Sequence, residues 1–280
     1  MLPEPAARVV RRYLDRVDAA APDLIQDFYL VGSIALGGFR AGRSDIDFVA
    51  TLGEPVTADH LKVLRRAHHR CWADGAAKAV VTRSWPLTCN GYFLADEADL
   101  ARPPSEVIPV AAQVAERFEP RARFDVNPVS WWILAHHGIA MRGPSIDNLT
   151  VHVDDADLRS WTAANLITYW RPWAQAITGS GPRPWVAAFR QLSIGRLVAS
   201  GVLGTARMHA TITTGQVITK ERAGDYALAT FRRRWHPIIH NALDYWRDLP
   251  MRSRTSLLAV RTETVAFVTH VIDSVGAVAN

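Results

Sequence analysis

The stretch LVGSIALGGFRAGRSDIDFV, residues 30–49, decides how the N-terminal part of this chain folds. Its first apolar residues end a predicted strand that runs into a tight turn at Gly32-Ser33, where a short helix begins. Glycine permits close approach of backbone to a ligand, and the N–H groups at a helix start favour phosphate. The turn therefore predicts a phosphate-binding cradle, to which Ser33 adds a hydroxyl donor.

Asp45 and Asp47 close the same stretch, two residues apart on the next predicted strand. Strand alternation places both carboxylates on one face and turns Ile46 and Phe48 toward the core. Two adjacent carboxylates repel each other unless a cation lies between them, and Mg²⁺ prefers such oxygen ligands. A phosphate cradle beside an acid pair is typical of phosphoryl or nucleotidyl transfer.

An ordinary turn followed by two solvated acidic residues is the simpler interpretation of this stretch. The coincidence of a strand, a Gly-Ser turn, a helix start and the acid pair favours a site instead. The stretch is not a Walker A loop, because no GK[ST] follows the glycines. It is not a dinucleotide fingerprint either, because GxGxxG is absent.

The composition of the 280 residues is that of a globular protein, with 49% hydrophobic and 21% charged residues. No apolar run reaches the roughly 18 residues that span a bilayer, and the N-terminus lacks the apolar stretch of a signal peptide. Cys71 and Cys89 match no CxxC spacing, which argues against a disulfide framework or a zinc site. We therefore expect a cytoplasmic protein without a membrane partner. The net charge of +5 suits a polyanionic ligand such as a nucleotide.

The pattern of elements changes near Asn127-Pro128, a predicted helix start. Before it, the sequence predicts helices at 5–20 and 57–72 and strands at 27–31, 45–52, 78–82 and 88–94. After it, helices are predicted from 128, at 154–173, 185–210, 220–234, 237–248 and 255–274, with a loop at 179–184. These patterns predict an α+β protein, with a small mixed sheet and its helices at 1–125 and an all-helical domain at 126–280.

The string GSxxxGxxxxxxSDIDF, which ends at Phe48, resembles the signature of the polymerase-beta-type nucleotidyltransferases. With FEP (118–120), AMRGPSIDNL (140–149) and residues 206–228, the chain further resembles the aminoglycoside adenylyltransferases that modify streptomycin and spectinomycin. The resemblance implies a nucleotidyltransferase domain followed by a helical domain. It also implies ATP- and Mg²⁺-dependent transfer of an adenylyl group to a hydroxyl of a small molecule.

The resemblance also implies roles for individual residues of this chain. Asp45 and Asp47 match metal-binding carboxylates; Gly32, Ser33 and Ser44 match phosphate-binding positions; Arg207, Lys220 and Trp246, or its neighbour Tyr245, match residues of the helical domain that contact ATP. Without the resemblance, Arg207 and Lys220 are two of 32 basic residues, and each is predicted to be a surface charge.

The sequence departs from the family where a later strand carries a third carboxylate, the proposed general base. The matching strand here, TCNGYFL, contains no acid, and Asn90 or, as second choice, Thr88 takes that position. Asparagine can offer a carbonyl oxygen to a metal, but it does not accept a proton near neutral pH. Asp96, Glu97 and Asp99 follow the strand and are predicted to lie in a solvated loop, from which one could substitute.

Two functions therefore stay open at this stage. The first is an adenylyltransferase with a small-molecule acceptor, for which the resemblance indicates aminoglycosides; Leu197 falls near the position of an acid that the family uses for streptomycin. The second is a nucleotide-binding or regulatory protein on the same fold, with catalysis weakened or lost because of Asn90. A nucleic-acid partner is disfavoured, because the sequence contains no RNA-binding module.

Overall fold

The structure is a computed structural model that describes residues 2–53, 55–179, 190–250 and 256–276. The chain forms two compact units, Met1–Asp154 and Asp155–Asn280. The first unit is built around a sheet, and every regular element described in the second unit is helical. The predicted α+β fold, with a mixed sheet followed by a helical region, is confirmed.

The first unit places a six-stranded sheet among four helices. Its elements are α1 (Glu4–Asp18), β1 (Ile25–Val31), α2 (Gly32–Ala35), β2 (Ile46–Leu52), α3 (Ala58–Thr82), β3 (Cys89–Leu94), β4 (Ala111–Val114), β5 (Arg117–Pro120), α4 (Pro128–His137) and β6 (Ile139–Arg142). The strand order is β5-β4-β3-β2-β1-β6. Only β2 and β3 run parallel, so the beginnings of these two central strands lie side by side.

Aromatic rings fill the core of the first unit and fix the position of its central strands. Phe28 of β1 stacks on Phe48 of β2 with ring centroids 4.6 Å apart, and Tyr13 of α1 lies 6.1 Å from Phe48. The Tyr13 hydroxyl donates to Gln113 Oε1 at 3.1 Å, which satisfies a buried polar group. Ile46 and Phe48 point into this core, so the intervening Asp47 points to the other face.

The second unit is a helical bundle. Its helices are α5 (Asp155–Asn165), α6 (Arg171–Gly179), α7 (Arg190–Val198), α8 (Gly204–Thr214), α9 (Lys220–Thr230), α10 (His236–Trp246) and α11 (Leu257–Gly276), with π-helical segments at Leu166–Trp170 and Ala199–Leu203. Buried Val202, Leu243 and Phe267 bring three of these segments into one core. A Cβ at Gly204 would lie 2.6 Å from the Trp170 ring, so this glycine allows close helix packing.

One predicted strand, Lys78–Thr82, is wrong, because these residues form the C-terminal end of α3. The β-branched pair Val80 and Val81 favours a strand locally. In the structure both side chains are exposed, and the helix continues with Thr82 Oγ1 donating to the Lys78 carbonyl oxygen at 2.9 Å. The other strands predicted before residue 125 are present, with bounds that shift by one or two residues.

The division between the two units at Asp154 and Asp155 differs from the predicted boundary at 125/126. Strand β6 pairs with β1, and α4 also contacts β1, so both elements join the first unit. The four residues of β6 carry no alternating pattern that would distinguish them from a helix end. Residues 180–184 of the predicted 179–184 loop lie outside the described residues. Within the described ranges, no helix is long and apolar enough to cross a membrane.

Candidate functional site

The turn after β1 brings the backbone against a carboxylate of the acid pair. Gly32 has φ of +63°, and a Cβ at this position would lie 1.9 Å from Asp47 Oδ2. Only glycine combines this backbone conformation with the space that Asp47 occupies. Next to it, the Ser33 hydroxyl is buried and has no hydrogen-bond partner in the part of the chain that the structure describes. An unsatisfied hydroxyl at this position is suited to a polar ligand.

The start of β3 contacts the other carboxylate of the pair. Asp47 and Asn90 are register partners on the parallel strands β2 and β3, and Asp45 immediately precedes β2. Asn90 Nδ2 donates to Asp45 Oδ2 at 2.7 Å, so the amide and the acid pair share one site. Asn90, the first choice for the position of the missing acid, therefore lies beside the acid pair.

Ser44 orders the loop that leads into the acid pair. Its side chain is buried, its Oγ accepts from the backbone N–H of Arg40 at 3.1 Å, and its own N–H donates to the Arg40 carbonyl oxygen at 2.8 Å. These bonds close the turn between Arg40 and Ser44. Ser44 thus positions the segment that carries Asp45, in addition to the phosphate contact that the resemblance implies.

The acids that follow β3 do not join this site. Asp96 caps a short 3₁₀ helix by accepting from the Asp99 N–H at 3.3 Å, and Asp99 pairs with Arg102 at 3.1 Å. They lie past the far end of a strand whose first residues include Asn90. At about 3.3 Å per residue, the six residues from Asn90 to Asp96 span roughly 20 Å. The structure therefore assigns Asp96 and Asp99 local structural roles and leaves Glu97 exposed in the same segment.

Asp125 is a further acid whose pKa is affected by the acid pair, and no sequence motif pointed to it. It precedes Asn127, whose side chain caps α4 by accepting from the Ser130 N–H at 3.1 Å. Desolvation of the carboxyl and, second, the negative charge of Asp45 raise the pKa of Asp125, although the residue as a whole is exposed. Its charge also contributes, after burial, to the raised pKa of Tyr92 on β3. Asp125 is thus electrostatically coupled to the acid pair.

The second unit holds the residues that the resemblance assigns to ATP. Lys220 is the first residue of α9, and its ammonium lies 4.7 Å above the ring centroid of Trp246 at the end of α10. The Trp246 ring is buried in the core of the unit, which makes it a support for Lys220. Its neighbour Tyr245 packs against Gly195, where a Cβ would lie 2.1 Å from the Tyr245 ring. Arg207 is half-buried on α8.

Comparison with known proteins identifies relatives in sequence and in fold. Residues 194–274 match the family described as aminoglycoside adenylyltransferase, C-terminal domain. The fold matches the crystal structure of spectinomycin adenyltransferase AAD(9) from Enterococcus faecialis with ATP and spectinomycin, with a TM-score of 0.62. That match has 13% sequence identity and covers 95% of this chain and 99% of the other. A search of curated protein sequences gave no significant match.

The two matches agree with the resemblance inferred from the sequence. The family match falls in the helical unit, where single motifs are weak, and the fold match extends over both units. Because the sequence identity of the structural match is only 13%, that match shows a shared fold alone. In sequence over residues 194–274 and in fold over nearly its whole length, the chain resembles the aminoglycoside adenylyltransferases.

Proposed function

We propose that this protein is a nucleotidyltransferase that transfers the adenylyl group of ATP to a hydroxyl of a small molecule. The observation that carries the proposal is the contact of Gly32 with Asp47, beside the Asp45–Asn90 pair. In the proposed reaction, a bond forms between the acceptor oxygen and the α-phosphorus. The bond from that phosphorus to the oxygen that links it to the β-phosphate breaks, pyrophosphate leaves, and the proton of the acceptor hydroxyl passes to solvent water.

The donor set at this site fits Mg²⁺. Asp45 and Asp47 offer carboxylate oxygens, and Mg²⁺ is commonly held by one or two carboxylates together with substrate phosphates. Among the described residues, no group of three or more acidic, histidine or cysteine side chains is arranged to hold a metal, so substrate oxygens would complete the coordination. When bound, the cation would neutralise charge on the triphosphate.

The backbone of Gly32 and the hydroxyls of Ser33 and Ser44 would contact the phosphates in this proposal. Support comes from the buried Ser33 hydroxyl, which has no hydrogen-bond partner among the described residues, and from the turn at Gly32, which has no side chain. Arg207 and Lys220 would add positive charge to the triphosphate, as the resemblance implies. Trp246 would contribute by holding the Lys220 ammonium over its ring.

Aminoglycosides are the first acceptors to test. The structural relative was crystallised with ATP and spectinomycin, and residues 194–274 match an aminoglycoside adenylyltransferase C-terminal domain. A polycationic acceptor requires acidic partners, but Leu197 stands near the position that the family uses for streptomycin. We therefore propose spectinomycin ahead of streptomycin as the acceptor.

A second function rests on one specific observation. Asn90, which the resemblance matches to the third acid, donates to Asp45, and an amide supplies no proton acceptor near neutral pH. Loss of general-base help typically costs about 10²–10⁴-fold in rate. The second proposal is therefore a protein that binds ATP on the same site with weakened or absent transfer.

Incubation with ATP, Mg²⁺ and either spectinomycin or streptomycin separates the two functions. The first proposal predicts pyrophosphate release together with an acceptor whose mass increases by one adenylyl group, and loss of both in Asp47→Asn. The exposed Glu106→Gln serves as the matched control in the same unit and should behave like the wild type. ATP binding without pyrophosphate for any acceptor favours the second function. Absence of ATP binding in the presence of Mg²⁺ would contradict both.

A further inference from the structure

The Asn90 side chain is held by hydrogen bonds at both ends of its amide. At one end, Oδ1 accepts from the Ala115 backbone N–H at 3.0 Å and lies 3.4 Å from Thr88 Oγ1. At the other end, Nδ2 donates to Asp45 Oδ2 at 2.7 Å. The residue is 5% exposed, so water competes little for these bonds.

The orientation of this amide follows from its partners. A backbone N–H only donates, so the amide atom that faces Ala115 must be the oxygen. The NH₂ group then faces Asp45, where an ionised carboxylate only accepts. Exchange of the two amide ends would place donor against donor and oxygen against oxygen, so the network itself assigns the amide.

The hairpin between β4 and β5 supplies the bond that fixes the amide. Ala115 begins the two-residue turn of this hairpin and has φ of +50°, a left-handed conformation that is uncommon for alanine. Its N–H therefore reaches Asn90 because of the turn geometry. This bond leaves Oδ1 turned toward the hairpin, while the opposite end of the amide faces the acid pair.

We propose that Asn90 is a positioning residue that holds Asp45 through one carboxylate oxygen and leaves the other oxygen for the cation. This inference rests on the proposed metal-dependent function and corrects the expectation that Asn90 itself offers its carbonyl oxygen to the metal. The neutral donor also avoids a third negative charge beside Asp45 and Asp47. A charge-assisted bond of this kind orients a metal-binding carboxylate in the same way as the partners of metal ligands generally do.

Titration of the full-length protein with Mn²⁺ alone, in the absence of ATP, tests the inference without relying on activity. Asn90→Ala removes both bonds, and we expect its Mn²⁺ affinity to fall about 10- to 100-fold, as is usual when a partner of a metal ligand is lost. Thr51→Val is the matched control, because Thr51 Oγ1 donates to the buried Asp27 carboxylate at the other end of β2. It should lower the melting temperature and leave Mn²⁺ affinity within twofold of the wild type.

Asn90→Asp keeps the acceptor for Ala115, and so the fold, but replaces the donor with an oxygen that faces Asp45. The inference predicts Mn²⁺ affinity equal to or below that of the wild type. A rise in affinity would overturn it, because position 90 would then act as a ligand position. Unchanged affinity in Asn90→Ala would also overturn it and leave Asn90 a purely structural role. If the wild type and Asp45→Asn show the same lack of Mn²⁺ binding, the proposed metal-dependent function fails, and the inference falls with it.

Discussion

The two units present their candidate functional residues in contrasting ways. In the first unit, Asp47 and Asn90 lie side by side because the register of two parallel strands pairs them, and Gly32 closes against Asp47. In the second unit, Lys220 lies on a helix over the ring of Trp246, which comes from another helix 26 residues later in the chain. The glycine turn and the acid pair belong to one short sequence motif, whereas no local sequence pattern records that Lys220 lies over Trp246.

The largest expected effect concerns the glycine turn of the first unit. Gly32→Ala places a Cβ where Asp47 Oδ2 lies and imposes a positive φ on alanine. We expect adenylyl transfer to fall by at least about 100-fold, since one displaced electrostatic group typically costs that much. Stability should also fall by about 1–2 kcal/mol because of the left-handed backbone.

Gly37→Ala is the control that separates the effect of backbone strain from the effect of displacing Asp47. Gly37 has φ of +70°, but a Cβ there would meet no atom within 4 Å. We expect a similar loss of stability, measured by thermal unfolding, with transfer activity close to that of the wild type. Equal activity losses in both variants would show that the contact between Gly32 and Asp47 has no special role.

The next effect concerns a buried histidine of the first unit. The His68 ring is fully buried beside Phe118, and burial, with a smaller effect from the charge of His69, lowers the pKa of His68 to about 4. The unfolded value is about 6.5, so the unfolded chain binds the proton first. Stability is therefore fully present above about pH 6.5 and is lost as the pH falls toward 4. The loss approaches about 3 kcal/mol.

His68→Leu should remove most of this dependence when melting temperature is followed from pH 7 to pH 4. The control is His69→Gln at the exposed neighbouring residue. It removes only the charge of His69, the smaller cause of the lowered His68 pKa, so most of the acid-dependent loss of stability should remain. A wild-type profile in His68→Leu would show that another group produces the acid sensitivity.

A smaller effect is expected at the cation of the second unit. Lys220→Met keeps the aliphatic part of the side chain and removes the ammonium that lies over Trp246. Loss of a charge-assisted contact to a phosphate costs about 1.5–3 kcal/mol, which corresponds to roughly 10- to 150-fold weaker ATP binding. Calorimetric titration with ATP measures this change in affinity. The control is Arg222→Met at an exposed position on the same helix, which should bind ATP as the wild type does. Equal losses of ATP affinity in both variants would show that Lys220 contributes only general positive charge.

The smallest effect concerns Asp125. Its raised pKa means that the folded state holds the proton more strongly than the unfolded state, so stability declines as the pH rises through the folded pKa. Asp125→Asn should remove that decline and raise stability at pH 7 by at most about 1 kcal/mol, since the residue is exposed. A decrease in thermal stability at pH 7 would show that the carboxylate makes a favourable contact that outweighs its repulsion by Asp45.

In the first unit, the sequence predicted which side chains lie together, because Gly32, Asp45 and Asp47 belong to one short motif. For Asn90, the family resemblance selected the strand and left Thr88 as second choice, and the structure places Asn90 2.7 Å from Asp45. Strand alternation gave no orientation for the amide, because the deciding donor, the Ala115 N–H, comes from a hairpin 25 residues later. Asp125 was missed for a related reason, since the charge of Asp45 affects its pKa only once the segment before α4 has folded.

Elsewhere in the chain, the predictions that failed or were incomplete also have physical causes. Val80 and Val81 favour a strand by their local preference, yet continuation of α3 determines their conformation. The burial of Trp246 depends on packing among several helices, and the resemblance that implied a nucleotide contact for Trp246 does not record that packing. Local pattern thus predicts an element or a register more readily than it predicts which side chain supports which.

Calorimetric titration of ATP with and without Mg²⁺, in the wild type and in an Asp45→Asn/Asp47→Asn double variant, tests the central claim most directly. The proposed site predicts that Mg²⁺ tightens ATP binding by at least about tenfold in the wild type, because the acid pair and the triphosphate share the cation. In the double variant, Mg²⁺ should have no effect, and thermal stability without metal should be unchanged or higher because the carboxylate repulsion is gone. The same Mg²⁺ dependence in both proteins would contradict the assignment of Asp45 and Asp47 as the metal-binding pair.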